Sequence, residues 1–143
     1  MVEIKQCKDF HPIQLEQLIE LMSQLCPECP TLTAEHVDQL LNHPTTKLFI
    51  ATESDRIVGS IIFVWYPILT ATRAWIEDVV VDKNHRGKKI GEGLVLHAIQ
   101  EARNSGIKWV DLTSRPYRME ANKLYLKLGF QKRETNAYRF HIN

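Results

Sequence analysis

No block of like charge stands out in this 143-residue chain, in which 18 Lys and Arg nearly balance 17 Asp and Glu. The electrostatic footprint of a nucleic-acid binder is therefore missing, and small-molecule partners are favoured. No apolar run approaches the roughly 20 residues that span a bilayer, and the first residues lack the apolar stretch of a signal peptide. A cytoplasmic protein with no membrane partner is expected. Cysteine is scarce. Cys7, Cys26 and Cys29 make an odd count, and Cys26-Pro27-Glu28-Cys29 lacks the second ligand pair that structural zinc needs. No metal is expected, and the pair reads as two thiols in a reduced loop. Internal repeats, linkers and low-complexity stretches are missing too. A chain of this length buries one good core, so residues 1–143 read as a single domain.

The residues that are present fall into alternating periods. Val2 to Lys5 alternates apolar and polar and reads as a strand, and Leu15, Leu18, Ile19 and Met22 then share one face of a helix. Pro27 and Pro30 stop that helix in a loop. Thr33 caps a second helix whose buried stripe is Val37, Leu40 and Leu41. Leu48 to Ala51 and Ile57 to Val64 form a hairpin about Glu53 to Arg56, and Trp75 to Val81 is a further strand. A long helix follows the polar stretch 82–89, with Ile90, Leu94, Val95, Ala98, Ile99 and Ala102 in one stripe. Trp109 to Thr113 reads as a strand, and Ala121, Leu124, Tyr125 and Leu128 mark a last helix that Gly129 stops. The tail, Tyr138 to Ile142, closes as a strand. The order is βααβββαβαββ, an α/β (α+β) arrangement.

Between the strand ending at Val81 and the long helix, a short loop with Gly87 and Gly91 leads into a helix start whose amides have no intrahelical partner. Such a place binds anions, and Arg86, Lys88 and Lys89 add positive charge. It is neither a P-loop, which needs Lys followed by Ser or Thr after its glycines, nor the G-x-G-x-x-G dinucleotide fingerprint.

Ile76-Glu77-Asp78-Val79-Val80-Val81-Asp82, followed by His85-Arg86-Gly87-Lys88-Lys89-Ile90-Gly91, resembles the acyl-CoA motif of the GNAT superfamily of N-acetyltransferases. The element order matches it along nearly the whole chain. Arg86 and Gly91 fit the motif, and Lys89 stands where its first glycine is usual. The resemblance implies the acyl-CoA N-acyltransferase fold, a central mixed sheet flanked by helices, with acetyl-CoA as co-substrate. Its pyrophosphate would meet Arg86, the backbone of Gly87, Lys88, Lys89, Ile90 and Gly91, and the Lys89 ammonium. The segment Val79, Val80 and Val81 is similar to the one whose backbone pairs with the pantetheine arm.

An amine has a pKa of about 10.4, so attack on a thioester needs a proton acceptor. Glu77 and Asp78 are the candidates. Adjacent strand residues face opposite ways, so only one is expected to look into the cleft, and we assign Glu77 as the base. A structural role, pairing with Arg73 or a lysine, is the alternative. Tyr125, with Gly129-Phe130 after it, resembles the family tyrosine near the CoA sulfur and is assigned to protonate the departing thiolate. The family asparagine seven residues earlier is Arg118 here, and Asn122, one turn from Tyr125, is the amide available to the cofactor.

These residues imply acetyl transfer to a primary amine of a small molecule by direct attack in a ternary complex. A protein-lysine or N-terminal acceptor, or a catalytically silent acyl-CoA-binding module, are the other readings. Leu112 to Ala121 loosely resembles aminoalkylphosphonate acetyltransferases, and Glu-Asp-Val-Val-Val occurs in glucosamine-phosphate acetyltransferases. Both imply an amine bearing an anionic group, which Arg115, Arg118 and Arg139 could bind. Relatives in the family also pair through sheet edges, so a homodimer is compatible.

Overall fold

A computed structural model describes all 143 residues, which form two compact units, residues 1–113 and residues 114–143. The first unit runs β1 (Val2–Gln6), α1 (Pro12–Leu25), α2 (Ala34–Leu41), β2 (Thr46–Glu53), β3 (Arg56–Pro67), β4 (Thr72–Val81), a 3₁₀ turn (Lys83–His85), α3 (Ile90–Asn104) and β5 (Val110–Asp111). The second contains α4 (Met119–Lys127). No helix is long and apolar enough to cross a membrane.

The five strands form one sheet in sequence order, antiparallel except for the parallel pair β4–β5. Ser54 and Asp55 turn the β2–β3 hairpin with φ of 50° and 63°, as a tight two-residue turn between right-twisted strands requires. Period two then assigns the faces. Leu48 and Ile50 of β2 pack with Leu18 and Leu21 of α1, while Phe49 between them meets His97 of α3 edge-on at 6.0 Å. The sheet is thus covered on both sides, which is why β2 is buried at every position from Leu48 to Thr52.

Helix α3 sits close to the sheet because of Gly59. A Cβ there would lie 3.1 Å from Leu94 Cδ1, 3.2 Å from Ile90 Cγ2 and 3.2 Å from the Val80 carbonyl. The absent side chain lets the first turn of α3 rest against β3 and β4, and this fixes where its free amides point. On the other face, Thr33 caps α2 by accepting from the His36 amide at 3.1 Å.

Three expectations are corrected. Cys26 and Cys29 are not free thiols but a disulfide with a Cα–Cα distance of 5.4 Å. The turn after α1, closed by the Cys29 amide donating to the Cys26 carbonyl at 3.1 Å, brings them within bonding range. Strand β5 is only Val110–Asp111, since its pairing with β4 stops after two residues. The two strands expected at the end of the chain do not form. Tyr138, Phe140 and Ile142 alternate as a strand would, yet they are 86–89% exposed and their backbone joins no ladder. Alternation marks a segment able to pair; pairing also needs an edge that accepts it.

Gly59→Ala should lower stability by about 1–2 kcal/mol, as overpacking at a close contact does. Denaturant unfolding checks this, and an unchanged midpoint would mean that α3 moves aside freely.

Candidate active site

Strand β4 departs from regular geometry twice, both times beyond Trp75. In the ladder with β3, Val80 faces Ser60 while Glu77 faces Ile62, so β4 carries one extra residue there. Asp78 absorbs it with φ of 51°, a left-handed conformation that aspartate tolerates better than most side chains. The bulge overturns the expectation that Glu77 and Asp78 face opposite ways. Glu77 is registered opposite Ile62, and Asp78 lines the same pocket as Ile62, so both carboxylates belong to one face. Strict alternation fails where a residue is inserted. Both groups reach solvent, yet loss of hydration raises the pKa of each, and the Asp78 charge raises that of Glu77 further.

The second departure is an open edge. β5 pairs with β4 only at Ala74 and Trp75, so from Ile76 to Val81 that side of β4 has no strand partner. Its backbone groups are available to an extended ligand. The side chains are packing: Val80 is buried, and Val79 and Val81 are half-buried.

At the end of β4 the chain turns around Asp82, which is 7% exposed. Its amide donates to the Val58 carbonyl at 2.8 Å and its own carbonyl accepts from the His85 amide at 2.8 Å. Its carboxylate accepts from Gln24 Nε2 at 2.9 Å and lies 2.7 Å from His85 Nδ1. Gln24 Oε1 in turn accepts from the Lys83 amide at 3.0 Å. His85 Nε2 is 3.0 Å from Glu53 Oε2, and Lys88 Nζ is 3.7 Å from that oxygen. The Gln24 hydrogen bond, with help from His85, holds the Asp82 carboxyl below its ordinary range despite burial. This network was not legible in the sequence, because hydrogen-bonded members lie up to 59 residues apart and no spacing links them.

The turn delivers the basic loop to the start of α3. Arg86 Nε donates to the Val81 carbonyl at 3.4 Å. Gly87 has φ of 82°, and Lys89, at the N-cap of α3, has φ of 61°. The motif position normally held by glycine is thus left-handed, which is the physical reason for glycine there. Lys89 adopts that conformation without capping the helix through its side chain. Arg86, Lys88 and Lys89 are exposed, whereas the Ile90 side chain is buried, so Ile90 can meet a ligand only through its amide. Gly91 lies in the first turn beside it.

In the second unit Tyr125 is 7% exposed and packs edge-on against Phe130 at 5.7 Å. Burial raises its pKa, opposed by Arg118. Asn122 Nδ2 donates to the carbonyls of Arg115 and Arg118 at 3.0 and 2.9 Å, bracing the turn before α4, so Oδ1 is the atom through which it would meet a cofactor. In the first unit, an open pocket lies between α1, α2 and the sheet, with Asp78 at its β4 end.

The chain matches the sequence model of the Acetyltransferase (GNAT) family over residues 15–130. It is 32% identical over 96 residues to N-acetyltransferase 8B of Homo sapiens, covering 66% of this chain and 41% of that protein. It is 37% identical over 92 residues to glucosamine 6-phosphate N-acetyltransferase of Trypanosoma brucei brucei, covering 62% and 60%. The matched stretch therefore spans less than two thirds of either relative. A solved acetyltransferase of Trypanosoma brucei superposes with a TM-score of 0.82 at 25% identity, covering 99% of this chain and 100% of that one.

Asp82 has a depressed pKa, so its contribution is present above an aspartate's ordinary 3.8 and is lost as pH falls through the lower folded value. Asp82→Asn should cost about 2–3 kcal/mol near neutrality, as loss of charge-assisted hydrogen bonds does. The deficit should shrink below about pH 4. Unfolding measured across pH checks both, and a deficit that persists in acid would mean that the carboxylate charge is not what matters.

Proposed function

The chain belongs to the GNAT acetyltransferase family, and from that premise we propose that it transfers the acetyl group of acetyl-CoA to a primary amine of a small molecule. The observation that carries this reading is the continuity of the open β4 edge with the start of α3. An extended arm bearing amides can pair with backbone groups of residues 76–81 as an added strand. Its pyrophosphate then reaches the free amides of α3, beside Arg86, Lys88 and Lys89. The residues present fit the co-substrate, and family membership supports treating residues 15–130, which cross the boundary between the two units, as one functional domain.

In this reading Val79 to Val81 bind the pantetheine arm, and a main-chain N–H of that stretch holds the thioester oxygen as it gains charge. The amine nitrogen forms a bond to the acetyl carbon while the carbon–sulfur bond breaks. Glu77, whose raised pKa suits a base, takes the proton from the amine, directly or through water. Tyr125 gives its hydroxyl proton to the departing sulfur and recovers one from solvent. Asn122 contacts the cofactor through Oδ1. The glucosamine 6-phosphate relative supports a small acceptor by analogy.

Free-thiol release from acetyl-CoA across a panel of amines tests the activity. Release with peptides alone would favour a protein acceptor, and acetyl-CoA binding without turnover would favour a silent module. Tyr125→Phe should lower kcat about 10²-fold or more with little change in CoA affinity. Glu77→Gln should flatten the rise of kcat/KM with pH, because the base must be deprotonated to act. Normal rates in both variants would remove these assignments. Lys89→Gly should raise stability by several tenths to about 1 kcal/mol by relieving the left-handed conformation. It should also weaken CoA binding and reduce its salt dependence, and unchanged calorimetric titrations would place the ammonium outside the site.

A further inference from the structure

The pocket beside Asp78 has a chemistry of its own. Leu18 and Met22 of α1, Leu40 of α2, Leu48 of β2 and Ile62 of β3 supply half of its lining residues. Met22, Leu40 and Ile62 are only half-buried, so the core of this face is left with apolar surface open to a ligand. No lysine or arginine lines the pocket, and its only carboxylate is Asp78; Ser60 and His36 are the other polar groups. The bulge that turns Asp78 toward this wall also puts Glu77 on the same face. An apolar pocket thus ends at the Asp78 carboxylate, with Glu77 next to it in β4 on the same face of the sheet.

We propose that this pocket binds the acceptor, and that the acceptor is a primary amine with an apolar body, an arylalkyl or branched alkyl amine, held by Asp78 at its ammonium end. This rests on the acetyltransferase reading and narrows it. A phosphorylated or phosphonate-bearing amine is disfavoured here, because its anion would meet the Asp78 carboxylate and hydrocarbon and find no lysine or arginine. An apolar ammonium finds the reverse: hydrocarbon surface for its body and negative charge for its nitrogen, beside the base Glu77 and next to Val79, where the pantetheine-binding stretch begins. The loss of hydration that raises both carboxyl pKa values is the same property that favours a bound cation over water.

The test uses the full-length protein. Thiol release from acetyl-CoA is followed with 2-phenylethylamine and isoamylamine, with ethanolamine as the small polar amine, and with glucosamine 6-phosphate and aminomethylphosphonate as the anionic ones. The apolar amines should exceed the other three at least tenfold in kcat/KM. Leu40→Arg, which puts a cation into the wall, should lower kcat/KM for 2-phenylethylamine at least tenfold while leaving the KM for acetyl-CoA unchanged. Asp78→Asn keeps a side chain suited to the left-handed backbone and should raise the KM for the amine with the same acetyl-CoA KM. Preference for either anionic amine, or indifference to Leu40→Arg, overturns the proposal. Calorimetric titration of 2-phenylethylamine in the absence of acetyl-CoA separates the two readings. If acetyl-CoA neither binds nor is turned over, the acetyltransferase reading fails. The pocket assignment is then decided by this titration alone: saturable amine binding lost in Leu40→Arg sustains it, and no binding refutes it.

Discussion

Asp82 joins the end of α1, the body of β3, the end of β2 and the turn into α3 in one geometry: its carboxylate meets Gln24 and His85, its amide donates to the Val58 carbonyl, and His85 in turn reaches Glu53. Burying a charge is unfavourable unless hydrogen bonds replace the lost water. Here the balance is visible in the ionisation itself: desolvation alone would raise the pKa of Asp82, and the attractions win and lower it. The loop that carries Arg86 to Lys89 is therefore anchored to α1, β2 and β3, and the amides at the start of α3 inherit their position from it.

Two non-glycine residues near this anchor, Asp78 and Lys89, occupy the left-handed region, at a cost of about 1–2 kcal/mol each. Such strain persists only where the surroundings over-determine the backbone. Ladder pairing of Glu77 and Val80 with β3 brackets Asp78. For Lys89 the bracket is Asp82 on one side and, on the other, the seating of Ile90 and Leu94 against Gly59. The strained positions are also the ones assigned to chemistry, so the packing of α3 and the geometry of the site are one problem rather than two.

Periodicity was a good guide wherever burial is governed by nearest neighbours along the chain. The β2–β3 hairpin, the stripe from Ile90 to Ala102, the Thr33 cap and the basic loop before α3 are all legible, as is the lysine at position 89 where glycine is usual, and the left-handed backbone there explains that glycine. What escaped depends on contacts that sequence spacing does not encode. The bulge at Asp78 is a property of β4 against β3, and it puts Glu77 and Asp78, expected on opposite faces, on one. Asp82 finds its partners in α1 and at the end of β2. The Cys26–Cys29 disulfide depends on how the turn after α1 closes, and the tail from Tyr138 to Ile142 had a strand's alternation without an edge to pair with. Tyr125 is legible only through a resemblance, because its burial and its contact with Phe130 arise from packing that spacing alone does not encode.

The open edge of β4 also bears on selectivity of a different kind. An unpaired strand is a template on which any extended polypeptide, including another copy of the same chain, can grow. A peptide added there would bring side chains to both faces of the sheet, and on one of them they would crowd the carboxylates of Glu77 and Asp78 and strip them of water they already partly lack. A slender arm with amides and no side chains has no such conflict. The same gap that offers hydrogen bonds to an extended ligand thus favours a narrow one, and the bulge sets the width of what lies beside it without conflict.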